Sequence, residues 1–187
     1  EQKKKFLPKL INGEIRMSVS MTEPDAGSDV GAMRTTAVKQ GDQWVINGQK
    51  VFSTGAYAKN NVINLFVKTD PTAHHRNGIS LFLIDNDHPG LEIRRLDTLG
   101  MRIVGTNEIF LNDVKVGEDR LVGEVNKGWD YLLSGLQLER IMTSAAYIGN
   151  AQTVVDEALQ YAKERKQFGK RIGEFQVIAH MLADMQT

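Results

Sequence analysis

Short apolar runs separated by turn-forming residues occupy the chain from about residue 18 to residue 122, and this pattern predicts β-strands. The runs rich in β-branched and aromatic residues are 43–46, 50–53, 62–68, 79–84, 91–96 and 108–111. No helical segment interrupts them. Many short strands without intervening helices favour an antiparallel sheet, closed or stacked like a barrel or sandwich.

The pattern changes to helical spacing at Gly128. Apolar residues then recur every three or four positions, without an interior proline, as far as Ala162, which predicts one helix too long for the remaining chain to cover. A second helix is predicted from Glu174, with its apolar positions left unpaired. These positions are Val177, Ile178, Met181 and Leu182. At the other end, residues 6–13 indicate the close of a helix capped by Gly13. The predicted class is α+β.

Composition narrows the functional classes. The 187 residues include 23 basic and 23 acidic side chains, so neither nucleic acid nor an anionic membrane is favoured as a partner. No apolar run is long enough to span a bilayer, which takes roughly 20 residues. Cysteine is absent, which excludes disulfides and thiolate chemistry and fits a reducing compartment. We therefore expect an intracellular protein, bacterial cytoplasmic or mitochondrial.

Metal and dinucleotide chemistry find no support in the sequence. None of the four histidines forms an i,i+4 pair on a predicted helix, and His74 and His75 lie in the polar segment 71–78, where a solvated loop is expected. No G-x-G-x-x-G follows a predicted strand. We expect no metal site.

Residues 21–30, MTEPDAGSDV, combine features of a ligand-binding turn. Pro24 fixes its φ, Gly27 is flexible, and the neighbouring hydroxyl and carboxyl side chains can form local hydrogen bonds. The segment predicts a turn that presents backbone N–H groups to a polar ligand.

Residues 46–54, INGQKVFST, begin with an Asn-Gly pair that predicts a turn and continue as a short strand. Period-two geometry places Phe52 and Thr54 on the same face. Taken alone, Phe52 is typical of a core aromatic. An aromatic plane with a hydroxyl beside it also suits an isoalloxazine ring.

Both segments closely resemble the middle domain of the acyl-CoA dehydrogenase family, where T-E-P-x-A-G-S-D and I-N-G-x-K-x-[WF]-x-T runs hold FAD. A third segment, ERKQFG at residues 164–169, is followed by Ile172-Gly173 and Phe175-Gln176 and resembles the signature of the family's C-terminal helical domain. Gly169, after Arg165 and two lysines, is also typical of a helix C-cap.

The resemblance implies the domain organisation. Residues 1–16 would end an N-terminal helical domain, 17–124 would form the middle β-domain, and 125–187 would begin a truncated C-terminal helical bundle. The long helix and its uncovered apolar positions fit that arrangement. Such a chain on its own is expected to be inactive.

The resemblance also implies the cofactor site, which is expected to bind FAD. Met21 and Thr22 would lie along the pyrimidine side of the flavin, Phe52 and Thr54 would flank its ring, and Ser28 would lie near the pyrophosphate and the CoA arm. The other implied FAD contacts are Gly27 and, reaching into a neighbouring subunit, Arg165, Gln167, Phe168 and Gln176. Such contacts imply a homo-oligomer, by analogy a tetramer.

The implied activity is α,β-dehydrogenation of an acyl-CoA thioester to trans-2-enoyl-CoA, with electrons passed to an electron-transfer flavoprotein. Glu139 precedes Arg140 on the long helix, at the position of the catalytic base in the isovaleryl and long-chain branches; other branches place this glutamate in a later loop. A solvated helical glutamate is the alternative for Glu139. Arg140 would contact the substrate or the subunit interface.

Two alternatives remain open from the sequence. A relative with the same fold could be an acyl-CoA oxidase or a flavin monooxygenase, whose reduced flavin reacts with oxygen. A non-catalytic β-domain module without flavin is the second alternative.

Overall fold

The computed structural model describes residues 1–74 and 76–187. Within them, helices lie at Gln2–Ile11 (α1), Gly128–Glu164 (α2) and Gln176–Gln186 (α3). Strands β1 to β9 lie, in chain order, at Arg16–Ser20, Thr36–Gln40, Gln43–Thr54, Asn61–Lys68, Ile79–Asp85, Leu91–Leu96, Thr106–Gly117, Lys166–Gln167 and Lys170–Arg171. The chain divides into two compact units, Glu1–Leu133 and Ser134–Thr187. The predicted α+β class is confirmed.

The first unit contains one seven-stranded sheet in the order β1-β4-β2-β3-β7-β6, with β5 paired to β4. Four strand pairs are antiparallel, namely β2–β3, β3–β7, β4–β5 and β6–β7. Strand β4 runs parallel to β1 and to β2, so the expectation of an antiparallel sheet is wrong for these two pairs. Two parallel neighbouring strands need a long connection between them. The connection from β1 to β4 contains the β2–β3 hairpin.

The main core of this unit is a cluster around Trp44 and Phe82, and a smaller cluster of Phe6, Val62 and Leu83 lies apart from it. Trp44 packs edge-to-face on Phe82 with 5.6 Å between ring centroids. Among the fully or almost fully buried aliphatic side chains around them are Ile46, Ile63, Leu65, Val67, Ile84, Ile109, Leu111 and Val114. Alternation of these residues along the strands is the signal by which the sequence predicts the sheet.

Two strands escape that signal, β1 and β2. The buried positions of β1 are Ser18 and Ser20 rather than apolar residues. Ser20 shares a hydrogen bond with Ser53 and Ser18 accepts one from Asn61, each over 2.7 Å. A buried strand face made of hydroxyl groups has no apolar period, so its pattern does not predict a strand.

Residues 43–54 form one strand rather than two strands joined by an Asn-Gly turn. The register with β7 shifts just before Gly48, which marks a β-bulge. The Asn47 side chain exchanges hydrogen bonds with Asp113 over 3.0 and 2.8 Å. Gly48 has φ +147°, and a Cβ there would lie 2.7 Å from the Cα of Thr35. This glycine permits a close backbone approach instead of a chain reversal, so the predicted turn is wrong.

The second unit contains most of α2 together with α3. Many apolar side chains of α2 are exposed, which confirms a helix that the rest of the chain does not cover. Among them are Leu138, Ile141, Met142, Tyr147, Ile148 and Val154. Helix α3 begins at Gln176, two residues after the predicted start, and leaves Val177 and Met181 exposed.

The segment between these helices forms a tight hairpin from β8 and β9. Phe168 and Gly169 occupy its two-residue turn with φ values of +53° and +80°. Two successive residues with positive φ define a type I′ hairpin turn. Gly169 therefore lies in a hairpin turn, and the interpretation of this residue as a helix C-cap is wrong.

Candidate functional site

The segment that follows β1 forms a tight turn, as predicted. Glu23 donates its backbone N–H to the carbonyl of Ala26 over 3.0 Å, and Ala26 returns a bond of 3.1 Å to Glu23. Beyond the turn, Gly27 and Ser28 are exposed, and their backbone N–H groups donate no hydrogen bond to any residue that the structure describes. Such amides can donate to an anionic or polar ligand.

Phe52 lies in a second β-bulge, near the end of β3. The register with β7 shifts between Lys50 and Ser53, and Phe52 has φ +60° with 63% of its surface exposed. A bulky residue with positive φ is strained, and strained residues cluster at functional sites. Phe52 and Thr54 are both exposed while Ser53 between them is buried.

The structure brings the two motifs together at the backbone. Val51 donates its N–H to the carbonyl oxygen of Thr22 over 2.9 Å. The buried hydroxyls of Ser20 and Ser53 share the 2.7 Å hydrogen bond described above. The Met21–Thr22 segment therefore lies next to the Phe52 bulge, although about 30 residues separate the two in sequence.

A buried ion pair also joins the two motifs. The Lys50 side chain is fully buried, and its Nζ lies 2.8 Å from Oε1 of Glu23, which is 6% exposed. The same ammonium donates to the backbone carbonyl of Met21 over 3.1 Å and contacts the sulfur of Met33 at 3.8 Å.

The Glu23 carboxylate is also bound by backbone. Its Oε2 accepts the N–H of Arg34 over 2.6 Å, and its Oε1 accepts the N–H of Thr35 over 2.9 Å. Burial raises the pKa of Glu23, but Lys50 and these hydrogen bonds outweigh it, so the pKa lies below its usual value of 4.5. Burial lowers the pKa of Lys50 to about 8 against the opposing effect of Glu23.

Thr54 lines an open cleft of about 990 Å³ at the end of β3. Gly55, Tyr57, Val104 and Ile15 contribute to the same cleft. Most of these side chains are apolar, and the cleft combines an exposed hydroxyl with flat and aliphatic surfaces, as a cofactor ring requires.

Ser28 lines a separate cleft of about 440 Å³ in the same unit. Residues 28–31 border it on one side, and His74, Arg76 and Trp129 border it on the other. The Arg76 guanidinium lies over the Trp129 indole at 5.0 Å from the ring centroid, a cation–π contact that orients the arginine.

The predicted FAD contacts of the second unit lie on the hairpin and at the start of α3. Arg165, Gln167, Phe168 and Gln176 are all exposed. Phe168 is 93% exposed and meets Phe175 edge-to-face at 6.2 Å. The Arg165 carbonyl accepts the N–H of Ile172 over 2.8 Å, so the base of the hairpin is closed. These side chains are available to a ligand or to another subunit.

Glu139 and Arg140 are exposed neighbours on α2. The residues that the structure describes leave the Glu139 carboxylate exposed, so they do not enclose it as a catalytic base is usually enclosed. Glu139 therefore stays a predicted base.

The described residues contain neither a metal-binding cluster nor a helix that could span a membrane. No group of three or more His, Cys, Asp or Glu side chains lies close enough there to hold a metal ion. None of the described helices is both long and apolar enough to cross a bilayer. His75, part of the predicted solvated loop, lies outside the described residues.

A strained, exposed phenylalanine next to the Met21–Thr22 segment, on a β-domain followed by a long helix, is the arrangement that the resemblance expects of a flavin-dependent oxidoreductase. Comparison with known protein families agrees. The chain matches the acyl-CoA dehydrogenase middle domain over residues 18–114 and the acyl-CoA dehydrogenase C-terminal domain over residues 126–187. The chain belongs to the acyl-CoA dehydrogenase family.

Individual relatives show the same similarity. The chain is 43% identical to 3-(aryl)acrylate reductase from Clostridium sporogenes and 43% identical to subunit CarC of the caffeyl-CoA reductase-Etf complex from Acetobacterium woodii. Each match covers 100% of this chain and 49% of the relative. The crystal structure of an acyl-CoA dehydrogenase from Geobacillus kaustophilus matches with a TM-score of 0.92 and 42% identity, over 99% of this chain and 49% of that one. The chain thus spans about half the length of these relatives.

Glu23 and Lys50 lie within the two motifs, but the sequence-based predictions include no role for either residue. A signal was present in the strand period. Lys50 shares the inward parity of Trp44 and Ile46 along β3, and a lysine at an inward position needs a buried partner. The carboxylate of Glu23, in the neighbouring motif, provides that partner.

Proposed function

We propose that the full-length protein binds FAD and oxidises an acyl-CoA thioester to trans-2-enoyl-CoA. One observation carries the proposal: the turn at residues 21–30 and the Phe52 bulge meet through the Val51–Thr22 hydrogen bond. In a member of this family, that junction is where the resemblance expects the flavin.

The residues present fit an FAD ring. Met21 and Thr22 would border the pyrimidine side, while Phe52 and Thr54 would flank the ring. Phe52 offers an exposed aromatic face in a fixed backbone conformation, and Thr54 offers an exposed hydroxyl. FAD would supply the hydride acceptor of the reaction. The amides of Gly27 and Ser28 suit its diphosphate.

The acyl-CoA arm would enter beside Ser28. The cleft at Ser28 is bordered by Arg76, a cation held over Trp129, and a guanidinium suits the phosphates of a CoA ester. This arrangement favours a thioester with a polar, anionic carrier over a free fatty acid. Arg140, on α2, is proposed separately as a contact of the substrate or of the subunit interface.

Glu139 is the proposed base, whose carboxylate would accept the α-proton of the thioester. Its exposure on α2 leaves the carboxylate accessible to a bound ligand. A general base must lie within hydrogen-bond reach of the proton that it accepts, and an exposed carboxylate on a helix can meet a substrate that binds against that helix.

The assembly is proposed to be a homotetramer in which Arg165, Gln167, Phe168 and Gln176 bind FAD of a neighbouring subunit. The exposure of these four side chains supports this assignment. An arginine can donate two parallel hydrogen bonds to a diphosphate, and an exposed phenylalanine can pack on an adenine ring. The partner in electron transfer is proposed to be an electron-transfer flavoprotein, since the CarC relative is named as part of an Etf complex.

A second candidate function is the reverse reaction, reduction of an α,β-unsaturated acyl-CoA. The observation that favours it is that the two relatives at 43% identity are both named as reductases. The catalytic groups would be the same in both directions, because a base in one direction is the acid in the other.

A single spectral experiment separates these possibilities. The full-length protein is purified without added cofactor and its visible spectrum is recorded; a flavin band is expected, and a colourless protein would support the non-catalytic alternative. Saturated acyl-CoAs are then added without oxygen, and trans-2-enoyl-CoAs are added to protein reduced with dithionite. Air admitted to substrate-reduced enzyme tests the oxidase alternative, since slow reoxidation is expected of a dehydrogenase.

A further inference from the structure

The Lys50–Glu23 pair is the most deeply buried charge cluster in the first unit. Lys50 is fully buried, Glu23 is 6% exposed, and Nζ lies 2.8 Å from Oε1. Taking two ions out of water carries a large desolvation penalty, and a well-packed apolar pair is often as stable or more stable. A buried ion pair is therefore weak evidence of a stabilising role, and its value has to be sought in the geometry that it fixes.

The pair fixes the backbone of both motifs. Lys50 donates to the Met21 carbonyl over 3.1 Å, and Glu23 accepts the amides of Arg34 and Thr35 over 2.6 and 2.9 Å. The residue after Lys50, Val51, donates to the carbonyl of Thr22. Three backbone segments thus converge on one ion pair.

Two of these attachments, at the Met21 carbonyl and at the Val51–Thr22 bond, lie at or beside proposed flavin contacts. Met21 provides the carbonyl that Lys50 binds, and Thr22 precedes Glu23 directly. Phe52 is two residues beyond Lys50, in a left-handed conformation that a regular strand would not maintain. Such a conformation persists only where surrounding contacts overdetermine it.

We propose that Lys50 and Glu23 are positioning residues that hold the Met21–Thr22 turn and the Phe52 bulge in the geometry that accepts the flavin ring. The inference rests on the proposed function, since it assigns a purpose within that same site. Neither side chain would touch the reacting atoms; both act through the backbone that they hold.

Charge-neutral variants of the full-length protein separate positioning from simple stability. Lys50→Met alone leaves Glu23 buried without its partner and should lower the melting temperature. The double variant Glu23→Gln with Lys50→Met removes both charges, so stability should largely return, as it does when buried ion pairs are replaced together. The bond to the Met21 carbonyl stays lost in both variants.

The expected result is a split between folding and cofactor binding. In the double variant the melting temperature of the flavin-free protein should approach wild type, while the FAD dissociation constant rises by about tenfold or more, equivalent to about 1.4 kcal/mol. The circular dichroism of the bound flavin should change, and the Val51 amide of flavin-free protein should exchange its hydrogen faster. Arg120→Met, which breaks the part-buried pair with Asp85 (2.5 Å) in the same unit, is the control and should leave FAD affinity unchanged.

Three outcomes decide the matter. A double variant that matches wild type in FAD affinity, flavin dichroism and Val51 exchange would overturn the positioning role while leaving the proposed function intact. A wild-type protein that binds no flavin would overturn both. If neither Lys50 variant folds, Glu23→Gln alone decides: faster amide exchange at Arg34 and Thr35 with weaker FAD binding supports the proposal, and unchanged values overturn it.

Discussion

Val51 donates its backbone N–H to the carbonyl oxygen of Thr22 over 2.9 Å, and this one bond joins the two motifs that the family resemblance assigns to the cofactor. On one side of the bond lies the turn closed by Glu23 and Ala26, and on the other lies an exposed, strained phenylalanine. The first unit therefore presents a partly preorganised surface, which lowers the entropic cost of binding a rigid ring.

Because the backbone of Phe52 is strained, we expect glycine to be more stable than alanine at this position, which is the reverse of the usual order in a strand. At φ +60° an alanine Cβ is disfavoured, whereas glycine adopts this region readily. Phe52→Gly should therefore be more stable than Phe52→Ala by about 1 kcal/mol, although glycine in a regular strand is the less stable of the two. Urea unfolding of the two variants without flavin tests this. Greater stability of the alanine variant would mean that Phe52 is not strained.

Thr54→Val is expected to impair flavin reduction with little effect on folding. Thr54 is exposed at the strand end, so the isosteric change should leave the melting temperature almost unchanged. Loss of one neutral hydrogen bond to the ring should cost about 0.5–1.5 kcal/mol in cofactor or transition-state binding. The rate of flavin reduction is measured by stopped flow for Thr54→Val and for a control variant, Thr36→Val, which changes a half-buried threonine on β2. A large drop in melting temperature with an unchanged rate would make Thr54 a purely structural residue.

Because of Glu23, we expect the free energy of unfolding to fall in acid. Its pKa in the folded protein lies below 4.5, because Lys50 and the backbone bonds outweigh the opposing effect of burial. The unfolded chain then binds more protons as the pH falls through that range. The stabilisation that the ionised carboxylate contributes above 4.5 is lost as the pH drops through the folded-state pKa.

The measurement is the difference in free energy of unfolding between wild type and Glu23→Gln. It should be largest near neutral pH and shrink as the pH falls well below 4.5, because glutamine does not titrate. The comparison cancels the other carboxyl groups, which both proteins share. A difference independent of pH would show that Glu23 is not ionised in the fold.

Glu139→Gln tests the proposed base. A general base contributes about 10²–10⁴-fold, so flavin reduction by the best acyl-CoA should slow by that amount. FAD content should be unchanged. The matched control is Glu157→Gln, an exposed glutamate farther along α2, which should retain the wild-type rate. A Glu139→Gln rate within about tenfold of wild type would assign the base elsewhere.

Periodicity predicted the parts of the fold whose burial alternates. The strands of the apolar core and helix α2 follow directly from it, because Ile46, Phe82 and Ile109 face one core. Strand β1 was not predicted because its buried residues are serines that satisfy each other across strands. Parallel pairing of β1 with β4 was also missed, since it depends on contacts distant in sequence.

In the candidate site, too, the features set by local sequence differ from those set by contacts distant in sequence. Residue types predict a turn within residues 21–30, and the strand period places Phe52 and Thr54 on the same face. The bulge that gives Phe52 its left-handed conformation depends on the register of β3 against β7, and the Lys50–Glu23 pair depends on two segments meeting in space. The local pattern does not specify the bulge, and for the pair it indicates only that Lys50, at an inward position, needs a buried partner.

Anaerobic single turnover of the full-length protein measures the proposed oxidation of an acyl-CoA by bound flavin. The purified protein is mixed with a saturated acyl-CoA in the absence of oxygen, and the bleaching of the flavin band is followed together with the CoA product by mass spectrometry. We expect one trans-2-enoyl-CoA to form for each flavin that is reduced. A protein without flavin, or one whose flavin is not reduced by any saturated acyl-CoA, would contradict the proposed function.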